Sequence, residues 1–558
     1  MEPLSTPAIA GLLVEIGQRL ELGGESPFKS RAYYTAAENL LSLGEPLPEL
    51  IKRGKLRTIP GVGEAIAEKI IKLYNTGTHP TLDRLREEMP VGVLDLLRIP
   101  GLGPKKAAQL YQDLKIASIA ELEAACREGR VRGCKGMSQR TETKILQQLE
   151  MLRRNASSCH LHIAEERTLG GLQRLPQLRP DWIRVEPAGA FRRRCEVVNE
   201  IAFAAVSREG ANGDALVEEL SIRVGDAGNF GAAWIAATGS TEHLEELSRH
   251  AVSKGYKWTE AGLMKAGKLV PCAREEDVYA ALGLQFIPPE LREGQGEVEL
   301  AATGKLPVLV NDDDIRGILH SHTDYSDGAQ TLEQMADAVR SRGFQYYGVA
   351  DHSQSAAYAG GMKEAKITSQ HKLADQLNAK YPAGKFRIFK GVESDIRDDG
   401  SLDYPEEILA RFDFIVASLH SKLTMPRDGQ TRRVLNAVAN PHTTILGHMT
   451  GRLLLRREPA DMDVEAVLKA CAKHGVVVEI NANPHRLDVD WSYHKLGLEL
   501  GCTFAINPDA HDIEELDLTR YGVMMARKGG IPKERVLNCL DVAGFTAFIE
   551  QRKQLRRA

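Results

Sequence analysis

The chain has 558 residues, 43% of them hydrophobic and 27% charged. That length calls for several cores, and that composition excludes a largely disordered, collagenous or disulfide-stapled protein. No run approaches the roughly 18 apolar residues of a membrane helix, no basic residue precedes Arg19, and eight scattered cysteines form no CxxC pair, so a cytoplasmic protein with reduced thiols and no membrane partner is expected.

In chain order, Ile9, Leu12, Leu13, Ile16 and Leu20 recur at helical spacing. Two later segments then repeat one pattern, a helix end, a Pro-Gly-apolar-Gly turn and a new helix, at Gly61-Val62-Gly63 and at Gly101-Leu102-Gly103 followed by Lys105 and Lys106. Glycines there allow close backbone approach, and free amides at the next helix start can bind a phosphate oxygen without reading bases. The first 155 residues carry 23 Lys and Arg against 19 Asp and Glu, net +4, which leaves −8 for the remainder. This front part is the one expected to face a polyanion. From about Asn155, short apolar runs (Trp182 to Val185, Val197 to Val206) alternate with helical stretches, an α+β pattern. Gln285 to Asp314, with three prolines and little periodicity, reads as a linker.

From Ile315 onward seven short apolar runs alternate with helical segments: Gly317 to Leu319, Tyr347 to Ala350, Phe386 to Val392, Phe414 to Leu419, Thr444 to Leu446, Gly475 to Ile480 and Thr503 to Ile506. Such alternation predicts a (βα) barrel of seven parallel strands. These runs end at His320-Ser-His322, Asp351-His352, Glu393, His420, His448, Glu479 and Asp509-Ala-His511. Strand ends converge at one mouth of a barrel, so the sequence implies a ring of imidazoles and carboxylates. Crowded acids need compensating cations. Nitrogen and oxygen ligands without thiolate suit Mn²⁺, Zn²⁺ or Fe²⁺, and their number implies two or three ions, a set suited to phosphoester hydrolysis. Arg452, Asn481, Asn483 and Arg486 are candidates for either phosphate binding or helix capping, and His371, His442, His474, His485 and His494 are left as ordinary polar residues.

The motifs His320-Ser-His-Thr-Asp-Tyr-Ser-Asp-Gly328, Ala350-Asp-His-Ser353, Gly391-Val-Glu393, Ala417-Ser-Leu-His420, Leu446-Gly-His448 and Asp509-Ala-His511 resemble those of the PHP (polymerase and histidinol phosphatase) family. The resemblance implies a distorted seven-stranded barrel with three metals. One would be held by His320, His322, Glu393 and Asp509, a second by Glu393, His420 and His448, and a third by Asp327, His352 and His511. His320, His322, Glu393 and Asp509 would act on the water that attacks phosphorus.

The front half resembles the family X DNA polymerases through its helix-hairpin-helix turns, Gly189-Ala-Phe-Arg-Arg193 with Glu196, Phe230-Gly-Ala-Ala233, Thr238-Gly-Ser240 and Glu276 to Leu284. The implied organisation is multidomain. It comprises a helical DNA-binding domain at 1–90, a fingers-like helical domain at 91–154, an α+β nucleotidyltransferase-like palm at 155–240 and a thumb-like domain at 241–290. A linker at 291–314 and a PHP domain at 315–558 follow. The palm departs from the family where its chemistry belongs. Three metal-binding aspartates are matched by Glu200, Ala202 and Ser221, with Asp226 as the other register for the third. The family's serine beside Gly189 is Ala190, whereas Arg193 is kept. A methyl and a hydroxyl cannot replace two anionic ligands between close cations, so polymerisation is expected to be lost or very weak. Lys69 falls where lyase members of the family place a Schiff-base lysine.

These observations lead to the expectation of a DNA-repair protein with a metal-dependent 3'-5' exonuclease or 3'-end phosphoesterase. It would bind gapped, nicked or 3'-ended DNA by its backbone, with the oligomeric state left open. A small-molecule phosphatase and a non-catalytic gap-binding scaffold are the alternatives.

Overall fold

The structure, a computed structural model, describes residues 4–41, 43, 46–99, 101–208, 213–259, 261–382 and 384–557. The chain divides into two compact units, Met1–Ala156 and Ser157–Ala558.

The first unit is helical. Thr6–Leu22 opens with Ser5 as N-cap and buries Ile9, Leu13, Ile16 and Leu20 on one face, as their spacing dictates. Arg19 in the same helix is 1% exposed, and its guanidinium donates to the carbonyls of Leu85 and Met89, satisfying the end of the helix Pro80–Glu88. Each glycine turn separates a short helical segment from a longer helix, Glu64–Thr76 after the first and Pro104–Leu114 after the second. Val62 and Leu102 point inward, 5% and 3% exposed, and anchor the turns in two separate apolar cores.

In the second unit a four-stranded sheet comes first: β1 (Trp182–Pro187), β2 (Ala202–Ser207), β3 (Gly213–Val217) and β4 (Leu220–Gly225), ordered β1-β2-β4-β3. The pair β2/β4 is parallel and the other two are antiparallel. Helices Phe230–Thr238 and Thr241–Ser253 and a small three-stranded sheet follow. The stretch read as a linker is not an open tether. It carries the helix Glu297–Ala302 and buries Arg292, which pairs with Glu275, and Glu297, which pairs with His243.

Seven further strands make up the last sheet: β5 (Gly317–Leu319), β6 (Tyr346–Val349), β7 (Arg387–Asp395), β8 (Phe414–Ser418), β9 (Ile445–Gly447), β10 (Val477–Asn481) and β11 (Phe504–Asn507). They pair in parallel and in sequence order. Bridging of Ser321 to Ala510 brings the two edges together at the C-terminal end, forming a nearly closed barrel. The other end is plugged: Phe545, from the helix Val542–Arg557, stacks on Tyr346 and meets Phe389 edge-on. Alternation along β7 sends Phe389, Gly391, Glu393 and Asp395 to one face. A Cβ at Gly391 would lie 2.3 Å from the Phe414 ring, so only glycine fits midway between the aromatic plug and the polar mouth.

Candidate metal centre and nucleic-acid interface

At the mouth of the barrel all nine side chains implied as ligands come together. His322, Asp327, His352 and His511 form one group whose donor atoms lie within 4.8 Å of one another; His320, His322 and Asp509 form a second, His320, Glu393 and His448 a third, and His352, Glu393 and His420 a fourth. The partition differs from the implied one, since His320, His322 and His352 each serve two groups. Glu393 is the hub, with its Oε1 2.9 Å from His448 Nε2 and 3.1 Å from His420 Nε2, and its Oε2 2.9 Å from His352 Nδ1. Asp509 Oδ1 stands 3.0 Å from His322 Nε2 and 3.4 Å from His320 Nε2.

The donor set fits divalent ions. Ligand atoms around Zn²⁺ at its usual bond lengths lie roughly 3.4 Å apart, and the spacings above, 2.9 to 3.4 Å, approach that value. His320 Nε2, His322 Nδ1, His352 Nδ1 and Glu393 Oε2 are buried and make no hydrogen bond in the protein, an arrangement that costs free energy unless something else meets those lone pairs.

Electrostatics of the ion-free chain express the same crowding. Burial disfavours the charged form of Glu393, yet His420, His320 and His352 outweigh it and hold the carboxyl well below its ordinary range. Burial likewise opposes a charged Asp509, but His320 and His322 keep it ionised. Burial, helped by His511 and His352, drops His322 to about 3, whereas His352 and His420, opposed by burial but facing Glu393, rise to about 10 and about 9.

Two carboxylates at the strand ends are supports. Glu479 accepts from His320 Nδ1 at 2.6 Å and from the His448 amide at 3.0 Å. Asp351 accepts from Thr323 and Gln370, away from the cluster. Sequence reading missed Asp395, which holds His420 Nδ1 at 2.5 Å; its signal was the two-residue offset from Glu393 on β7. Arg452 is consumed by Glu196, Asp490 and the carbonyl of Arg486. Asn483 caps a turn through the His485 amide. Arg486 remains beside the cluster, 3.7 Å from Asp509.

In the sheet β1 to β4, Ala202 and Ser221 are register partners, and the Ser221 hydroxyl donates to Glu200. Of the three matched positions one carries a carboxylate, and it is already tied. All three line a cavity of about 1030 Å³ together with Asp214, Arg223 and Trp258. Ala190 packs, half-buried, against the neighbouring apolar core. Arg193 is engaged by Glu293 at 2.9 Å and by the Thr238 carbonyl. Asp226 lies in the turn after β4, its carbonyl accepting from the Asn229 amide.

In the helical unit Gly61 and Gly101 adopt φ of 77° and 83°, which favours glycine. Gly63 and Gly103 do not, at φ −78° and −69°, and a Cβ on either would meet nothing within 4 Å. The fold does not require them to be glycine; a closely approaching ligand would. Both helices they precede lack a side-chain cap, leaving first-turn amides for a phosphate, and Lys105 and Lys106 are exposed there. Lys69 is half-buried, and its Nζ donates to the Ala65 carbonyl of its own helix at 3.2 Å.

Hairpin turns, a palm-and-thumb fold and a PHP-like barrel in one chain define the class of family X polymerases that carry a PHP domain. Comparisons with known proteins agree. Residues 5–79 match a helix-hairpin-helix domain, 93–151 a SAM-like helix-hairpin-helix tandem, 233–293 the DNA polymerase beta thumb and 319–483 the PHP domain. The chain is 33% identical to the DNA polymerase/3'-5' exonuclease PolX of Bacillus subtilis over 97% of its own length and 99% of that protein's, and it belongs to that family. The barrel part alone is 28% identical to a probable phosphatase of Thermoanaerobacter sp. and 29% to one of Vibrio campbellii, in each case over 42% of this chain and over 94% and 92% of those proteins. The thumb and helix-hairpin-helix domains imply DNA binding.

Proposed function

We propose that this protein is a DNA-repair nuclease of the cytoplasm whose barrel hydrolyses phosphodiesters from the 3' end, with 3'-5' exonuclease or 3'-end phosphoesterase activity, and whose palm has lost nucleotidyl transfer. The observation that carries the reading is an inversion. The barrel keeps nine converging ligand side chains, while the palm keeps one of three carboxylates and holds it with Ser221.

Two or three divalent ions, Mn²⁺, Zn²⁺ or Fe²⁺, held by His320, His322, Asp327, His352, Glu393, His420, His448, Asp509 and His511 would acidify a water and neutralise phosphate charge. The protein's own part is positional. Glu479 and Asp395 accept from the outer nitrogens of His320 and His420, so that the other ring nitrogens face Glu393. Arg486 is placed to receive a non-bridging phosphate oxygen. Gly61-Val62-Gly63 and Gly101-Leu102-Gly103, with Lys105 and Lys106, would hold gapped, nicked or 3'-ended DNA by its backbone, independent of sequence and weakening as salt rises.

Digestion of a 3'-end-labelled oligonucleotide in Mn²⁺, with wild type against His322→Ala and Glu393→Ala, tests this. Loss in both variants with DNA binding retained is expected. Rapid turnover of small phosphomonoesters with no attack on DNA would overturn it in favour of a small-molecule phosphatase.

A further inference from the structure

The ligand cluster is buried at its centre and reaches solvent at its edge. His320, His322 and Glu393 are fully buried, whereas the side chains of Asp327 and His511 are 33% and 38% exposed. On that rim stands Tyr358. It is 74% exposed, and its ring centroid lies 6.2 Å from that of His352. Its hydroxyl is within electrostatic reach of the cluster: partial enclosure, then Asp395, Glu393 and Asp327, push it up to about 12, with Arg486 acting in the opposite sense.

The turn beneath the ring is fixed at several points. The short helical turn Ala357–Ala359 is closed by Gly360 in the left-handed region at φ 68°. Ser355 donates its amide to Asp403 at 2.6 Å and its hydroxyl to Asp395 at 2.8 Å, the same carboxylate that holds His420. Beyond the turn, the Met362 amide returns to the His352 carbonyl at 2.8 Å. A largely exposed aromatic ring thus stands beside a phosphoesterase centre on a turn whose backbone is fixed.

Cations and Arg486 suffice for a phosphate group alone. A planar apolar face on the rim serves something carried by that phosphate, and a flat nucleobase matches it in shape and chemistry. We propose that Tyr358 is the stacking platform for the base of the terminal nucleotide. The inference rests on the nuclease reading above. A base stacked on Tyr358 is withdrawn from any duplex, so frayed or single-stranded ends are preferred to blunt ones.

The test uses the full-length protein in Mn²⁺ and single-stranded oligonucleotides that end in a normal or an abasic 3' residue. Tyr358→Ala is expected to raise KM on the normal end by about tenfold, within the range for one lost base–aromatic stack, and to leave kcat and the abasic end unchanged. Tyr358→Phe should behave as wild type. Binding of an oligonucleotide with 2-aminopurine at its 3' end, without divalent ions, gives a second readout: wild type and Tyr358→Phe quench the fluorophore and Tyr358→Ala does not. Equal effects of Tyr358→Ala on both ends, or equal quenching by all three proteins, would overturn the proposal. If wild type cleaves no 3' end, the nuclease reading fails by itself, and the quenching still decides whether Tyr358 stacks a base.

Discussion

His320 and Asp509 both sit at positive φ, 59° and 54°, at the ends of β5 and β11, and the Asp509 amide donates to the His320 carbonyl. Non-glycine residues persist there only when their surroundings hold them, at a cost of about 1–2 kcal/mol each. Here the closing edge of the barrel does so, aiming both side chains into the cluster. Supports matter as much as ligands. Glu479→Gln and Asp395→Asn are each expected to weaken Mn²⁺ or Zn²⁺ binding by about 10- to 100-fold, measured by titration calorimetry, with the far-ultraviolet spectrum unchanged. The raised imidazoles set the pH response. His352 and His420, at about 10 and about 9, lie above the ordinary histidine value of about 6.5. Their contribution to stability is complete below that value and is lost as pH climbs through 9 to 10. Melting of the ion-free protein should therefore fall between pH 6.5 and 10, and loading with ions, which requires deprotonated ligands, should abolish that fall.

At the level of elements, the seven barrel strands were legible to within two or three residues at each end, because buried parallel strands read as short apolar runs. The imidazoles and carboxylates at those ends were legible for the same reason. Asp395 was not, since β7 continues three residues beyond the apolar run and a carboxylate there resembles any solvated loop residue. The stretch before the barrel, read as a linker, lacks periodicity because short helical turns hold it, with Ile287, Val298 and Ala301 buried singly beside the ion pairs of Arg292 and Glu297. The hairpin turns yield a prediction. Because Gly63 and Gly103 have ordinary backbone angles and open space, Gly63→Val with Gly103→Val should leave the melting midpoint unchanged and weaken binding to gapped duplex by on the order of tenfold in fluorescence anisotropy, through blocked approach of a phosphate to the amides.

On the scale of the whole molecule, palm and barrel share one compact unit joined through buried charge: Glu196 beside the palm pairs with Arg452 in the loop after His448. Burial raises Glu196 to about 7, against the pull of Arg452. Sequence reading had Glu196 as a polymerase landmark and Arg452 as a phosphate candidate, with nothing to link them. Glu200, Ala202 and Ser221 line one cavity, so the role of carboxylates there is testable by replacement. Wild type should incorporate no nucleotide on gapped DNA above background, whereas Glu200→Asp with Ala202→Asp and Ser221→Asp should gain Mg²⁺-dependent incorporation, because the cavity of about 1030 Å³ leaves room for the added carboxylates.

The sequence by itself determined the modules, the seven-strand rhythm and which imidazoles and carboxylates stand at the strand ends, because each is written in local pattern or in residue type. Only the tertiary structure decided which imidazole meets which carboxylate, that Glu479 and Asp395 orient the cluster, that Arg452 is consumed at the palm, and that Tyr358 stands bare on the rim. Those facts depend on residues up to hundreds of positions apart meeting in space, and burial and hydrogen-bond geometry, which no local pattern encodes, assign each its role.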